Sequence, residues 1–131
     1  PVHGSEALDI AAEVMAEGWS VAIMPEGRVV PESEWGATGV GTARPGIGRL
    51  ALATGRPVVA VGVNGTDRFW PRGSNLPRIR PWRRFPLSVR YEVLGVMEGD
   101  QPSVALDEIM AGITRCLNAT GSSTGGPAPT D

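Results

Sequence analysis

The 131-residue chain contains no lysine, a single cysteine (Cys116) and a single histidine (His3). Without lysine there is no Schiff-base or pyridoxal anchor and no Walker-type phosphate-binding lysine. One cysteine excludes an internal disulfide and a cysteine-based zinc site, and one histidine leaves no histidine pair to hold a metal. Long apolar runs are missing as well: the stretch 58–63 is the strongest, and it falls far short of the roughly 20 residues that span a bilayer. The chain opens on Pro1 and carries no basic, apolar leader, which is expected of a piece of a longer protein. What remains is 41% hydrophobic and 20% charged, too apolar for global disorder and sized for one domain.

All twelve cations are arginine, so every positive charge persists at any working pH and serves to bind anions, never as a base. Their distribution is lopsided. Residues 1–34 hold seven carboxylates (Glu6, Asp9, Glu13, Glu17, Glu26, Glu32 and Glu34) against Arg28 alone. Residues 68–90 hold seven arginines and no acid, interleaved with Phe69, Trp70, Trp82 and Phe85. Such a cluster suits a phosphate-bearing partner, whether nucleic acid, lipid headgroup or acyl carrier. The plainer reading is a solvated surface complementing the acidic half.

Along the chain, Ser5 is placed to cap a helix to about Glu17, with Leu8, Ala11, Ala12 and Met15 near helical spacing and Gly18 as its stop. Residues 19–24 form a short apolar run ended by Pro25, read as a buried strand. Residues 26–46 lack periodicity and read as a long loop. Pro45 opens and Gly55 closes a short helix. A second strand is expected at 57–63, continuously apolar as in parallel sheets covered on both faces. The proline-rich stretch 66–84 reads as irregular. In 87–93, Leu87, Val89, Tyr91 and Val93 alternate with Ser88, Arg90 and Glu92, which predicts a half-buried strand with the apolar set facing inward. Ser103 is placed to cap a last helix through Leu117. Together these elements predict an α/β fold, a sheet flanked by helices, over residues 1–118, with 119–131 a disordered tail.

In such sheets the functional loops leave the carboxyl ends of strands, which selects residues 25–28 and 64–68. In the first, Pro25 ends the strand, Gly27 permits a tight turn, and Glu26 stands beside Arg28. Arg28 is suited to grip a phosphate bidentately, and Glu26 to fix Arg28 or accept from a hydroxyl. A surface ion pair closing a turn accounts equally well for the spacing.

These residues belong to an ordered series: Ala7-Leu8; the Glu17-Gly18 helix end; Ile23-Met24-Pro25-Glu26-Gly27-Arg28; Gly46-Ile47-Gly48-Arg49-Leu50-Ala51-Leu52-Ala53; and Arg56-Pro57-Val58-Val59-Ala60-Val61-Gly62-Val63-Asn64-Gly65-Thr66. From about Ser5 to Met97 the series resembles the glycerophospholipid acyltransferase family, which includes lysophosphatidic acid acyltransferases. The resemblance implies an incomplete acyltransferase-type αβ domain in which Glu26, Gly27 and Arg28 bind the acceptor's phosphate and Pro57 belongs to the fourth motif. It further implies transfer of a fatty acyl chain from acyl-CoA or acyl carrier protein to a (lyso)glycerophosphate hydroxyl, with no cofactor and no nucleic-acid partner. Its setting would be cytoplasmic, peripheral on the inner face of the cell membrane. Three departures stand out. Arg28 comes directly after Gly27 with no intervening threonine, Ala60 stands where a second proline is common, and the family's His and Asp catalytic pair is absent.

Several other candidates are weaker. His3 and Asp9 are too close to Glu26 to be that pair, and His3 reads as an exposed terminal residue. Cys116 reads as a buried small hydrophobe. The glycines of 36–41 resemble a dinucleotide loop only superficially, since they follow no strand directly and open no helix. Trp70 and Trp82, flanked by arginines, fit either a bilayer interface or packing under a loop. A non-catalytic anion-binding module built on the arginine and aromatic cluster stays open as the alternative function.

Overall fold

The computed structural model of the chain describes residues 4–28, 40–66, 75–77 and 86–119. Its elements are α1 (Gly4–Ala16), α2 (Gly46–Thr54), β1 (Pro57–Asn64), β2 (Ser88–Val96) and α3 (Pro102–Ala119). This is a small α/β arrangement in which β1 and β2 form an antiparallel pair. The stretch 67–74, the arginine-rich residues 78–85 and the tail from 120 onward lie outside the described residues.

The helices end where their glycines predict, whereas neither expected serine cap holds: α1 begins at Gly4, with Ser5 inside it. At the end of α1, Gly18 takes φ 96°, its N–H bonds Met15 O at 3.1 Å and the Trp19 N–H reaches Val14 O at 3.2 Å. That pairing satisfies two of the carbonyls a helix end leaves unpaired. Gly55 closes α2 in the left-handed region, donating to Ala51 O. Helix α3 starts one residue before Ser103, at Pro102, a position where the missing N–H costs nothing. The carbonyl of Gln101, not a Ser103 cap, accepts from Val104 and Ala105.

Ala51, Met97, Ala105 and Ile109 make the core, with Ile47, Leu52, Val58, Leu94 and Ile113 packed around them. It sits between α2, α3 and one face of the sheet. Close approach builds it: a Cβ on Gly48 would strike the Pro102 carbonyl, and one on Gly62 would meet the Cys116 backbone at 2.9 Å. Cys116 is buried, its Sγ 3.7 Å from Ala60 O, as expected of a small hydrophobe.

Three expectations about strands are corrected. First, residues 19–24 are not a strand: they are irregular, with Trp19 69% and Met24 82% exposed. An apolar run supplies strand propensity, but a strand also needs a neighbour for its backbone groups, and the only sheet among the described residues is β1 with β2. Second, the sheet is antiparallel, not parallel, and β1 is covered on one face only. The register Val59↔Val93, Val61↔Tyr91 and Val63↔Val89 gathers six apolar side chains on a face that is exposed.

Third, the inward set of β2 is inverted. Leu87, Val89, Tyr91 and Val93 are exposed, while Glu92 and Leu94 face α3. Glu92 is held there by a bidentate pair with Arg115 on α3, Oε1 to Nη2 at 2.8 Å and Oε2 to Nε at 2.9 Å. The hydrogen bonds from Arg115 hold the Glu92 carboxyl below its ordinary value, against an opposing effect of burial. The inversion is a matter of size. Helix α3 needs a close surface, and Ala60 and Gly62 offer one that the valines of the other face do not.

Candidate functional site

The segment 25–28 therefore leaves no strand terminus, yet it is built as a defined turn. The Gly27 N–H donates to Met24 O at 3.0 Å with Pro25 at the second position, where its fixed φ favours a turn. Gly27 has φ 67°, a conformation that side chains other than glycine's rarely adopt.

Two contacts across long sequence separation hold this turn against residues 40–44. The Glu26 carboxylate, half-buried, accepts from the Gly41 N–H through Oε1 at 2.6 Å. Three residues on, the Arg44 N–H donates to Pro25 O at 2.9 Å. Glu26 thus acts here as a positioning residue. A charge-assisted bond of this length is among the stronger single contacts in a small domain.

The Arg44 side chain then lies across Gly27. A Cβ there would sit 2.6 Å from Arg44 Nε and 2.8 Å from Cδ. Arg28 is exposed beside it and has contacts of its own. The site therefore joins Glu26, Gly27 and Arg28 with Gly41 and Arg44, the last two being residues that sequence spacing does not select. The only local signal for Arg44 is its place just before Pro45, at the opening of α2.

Pro57 is held elsewhere, paired with Val96 at the first rung of the β1–β2 ladder. At the other end of β1, Asn64 Nδ2 donates to Leu117 O at 3.1 Å, so the first residue of the second candidate loop ties the sheet to the end of α3. An open groove of about 710 Å³ runs between residues 40–43 and α3, with Leu106, Met110 and Ala111 on its helical side. Gly41 lines this groove with one face and receives Glu26 with its N–H, so the turn backs directly onto it.

Asp9 is exposed on α1, and His3 lies outside the described residues. Phe69, Trp70, Trp82, Phe85, the arginines from Arg68 to Arg84 and the glycines 36 and 39 also lie outside them; of the second cluster only Arg90 is described, exposed on β2. Among the described residues no group of three or more His, Cys, Asp or Glu side chains could hold a metal ion. No helix among them is long and apolar enough to cross a membrane. Comparison with protein-family models, with curated proteins and with solved structures gives no match.

Proposed function

We propose that this chain is the acceptor-binding part of an acyltransferase of phospholipid synthesis, and that the turn at 25–28 receives the phosphate of a (lyso)glycerophosphate. The observation that carries this reading is the turn's construction. Glu26 bonds Gly41 and Pro25 bonds Arg44, so that Arg28 projects from a backbone pinned at two points. Pinning the backbone removes the loop's share of the ordering cost, and a guanidinium can offer a phosphate two parallel N–H donors.

The ordered sequence resemblance supplies the reaction class. The acceptor's hydroxyl oxygen attacks the carbonyl carbon of an acyl thioester, a C–O bond forms, the C–S bond breaks, and the hydroxyl proton passes to a base as the thiol leaves. The base and its orienting carboxylate are not among these 131 residues, since the sole histidine has no partner at the required spacing. This chain on its own is accordingly assigned binding and not the chemical step. Its natural donor would be acyl-CoA or acyl carrier protein, and its place the inner face of the cell membrane, attached peripherally.

Titration of the isolated chain with sn-glycerol 3-phosphate and with lysophosphatidic acid, monitored by amide NMR, tests the reading. Shifts are expected at Glu26, Gly27 and Gly41. Arg28→Ala should weaken binding by about tenfold or more, the loss of one charge-assisted contact. An oligonucleotide that binds while the phosphorylated glycerols leave this turn unmoved would instead establish the nucleic-acid module.

A further inference from the structure

We infer that Arg44 is a second cationic ligand of the phosphate bound at this turn, seated by the absent side chain of Gly27; the inference rests on the acceptor-binding reading. Charge makes a second cation necessary. Glu26 and Arg28 belong to one turn and sum to zero, whereas a phosphomonoester carries about −1.5 to −2 charges near neutral pH. A turn with no net charge beside a fixed carboxylate attracts such a group poorly, because the carboxylate repels what the guanidinium draws in. Adding Arg44 makes the site net positive by one.

Arg44 is also placed to serve. It is tethered to the turn through its own N–H on Pro25 O, so its side chain starts from a fixed point. That side chain then crosses Gly27, whose missing Cβ leaves it room and whose φ of 67° disfavours any other residue there. Among the described residues its guanidinium forms no ion pair, although the Glu26 carboxylate stands in the same turn and is taken up by Gly41. An arginine with no carboxylate partner among the described residues keeps its N–H fork for another acceptor.

The helix beyond Arg44 reinforces the same field. Helix α2 opens at Pro45 with no side chain capping it and no acid in its first turn. The partial positive charge of that helix start therefore adds to the arginine's, with no acid of the helix's own first turn to offset it. Glu26 emerges with the same role from both sides: it fixes the backbone on which the two cations are mounted.

The test uses the intact 131-residue chain and five proteins: wild type, Arg28→Ala, Arg44→Ala, Arg44→Lys and, as a control for lost charge alone, Arg49→Ala on the exposed flank of α2. Affinity for sn-glycerol 3-phosphate, inorganic phosphate and lysophosphatidic acid in mixed micelles is measured by calorimetry, with glycerol as the uncharged blank and circular dichroism for folding. Arg44→Ala is expected to lose about tenfold or more for all three phosphates, Arg44→Lys to recover part of it, and Arg49→Ala to stay within about twofold, as for an exposed surface charge screened by salt. Should wild type bind and Arg28→Ala fail while Arg44→Ala behaves like Arg49→Ala, the inference is overturned and the acceptor reading stands. If wild type binds none of the three, both fall together. Tight binding of the micellar lipid alone, unaffected by Arg44→Ala, would place recognition in the acyl chain and also overturn the inference. Should Arg44→Ala not fold, Arg44→Gln takes its place, since it removes the charge and keeps much of the bulk: affinity equal to wild type would overturn the inference.

Discussion

The two faces of the β1–β2 ribbon carry side chains from the same short strands and meet opposite fates. One face presents Ala60, Gly62, Leu94 and Glu92 to α3 and is closed; the other presents Val59, Val61, Val63, Val89, Tyr91 and Val93 and stays exposed. By hydrophobicity alone the second face is the better core. The helix nevertheless sits on the first, because backbone atoms at Cys116 and Leu117 come within the reach of a Cβ at Gly62 and pack where a valine would hold them off. Steric fit chooses the packed face here, and one bidentate pair is enough to let a carboxylate lie on it. An exposed apolar strip along two strands is also more surface than scattered single hydrophobes would explain.

Four substitutions test that contrast. Ile109 is only 2% exposed at the centre of the closed side, and Ile109→Ala should cost about 2–5 kcal/mol in chemical denaturation. Gly62→Ala should come next at about 1–3 kcal/mol, since the new methyl meets helix backbone that cannot rotate away. On the open face, Val61→Thr should change stability by no more than about 0.5 kcal/mol. A loss matching that of Ile109→Ala would mean that this face is covered in solution and would end the contrast.

The smallest effect belongs to Glu92. Its carboxyl is held below the ordinary value in the folded chain. The associated stabilisation is therefore fully present above the ordinary carboxylate range and is lost as the pH falls through the folded-state value. Both partners are substantially exposed, so screening keeps the contribution slight. In Arg115→Ala the Glu92 titration measured by NMR should move upward to the ordinary range; an unchanged curve would show that the pair does not form in solution.

Much of the fold was legible in order and type. Pro45 and Gly55 bracket α2, Gly18 ends α1, and β-branched runs mark β1 and β2, because these signals act within a few residues of where they are read. The residues 19–24 were misread for the converse reason, since ladder partners are distant in sequence. Of the candidate site, Glu26, Gly27 and Arg28 stood out through a proline, a glycine and two charges in succession. Gly41 and Arg44 did not, being 15 and 17 positions beyond Glu26 and Gly27 and joined to the turn only through folding.

By itself, then, the sequence determined what this chain has to work with: arginine and never lysine, one cysteine and one histidine, helix stops at particular glycines, and a tight turn at Gly27. Tertiary structure alone decided the direction of the sheet, which of its faces α3 covers, and which arginine lies across the turn. The division has a physical cause. Backbone preference and charge are properties of a residue and its neighbours, whereas steric fit and hydrogen-bond pairing belong to surfaces that exist only once distant segments meet.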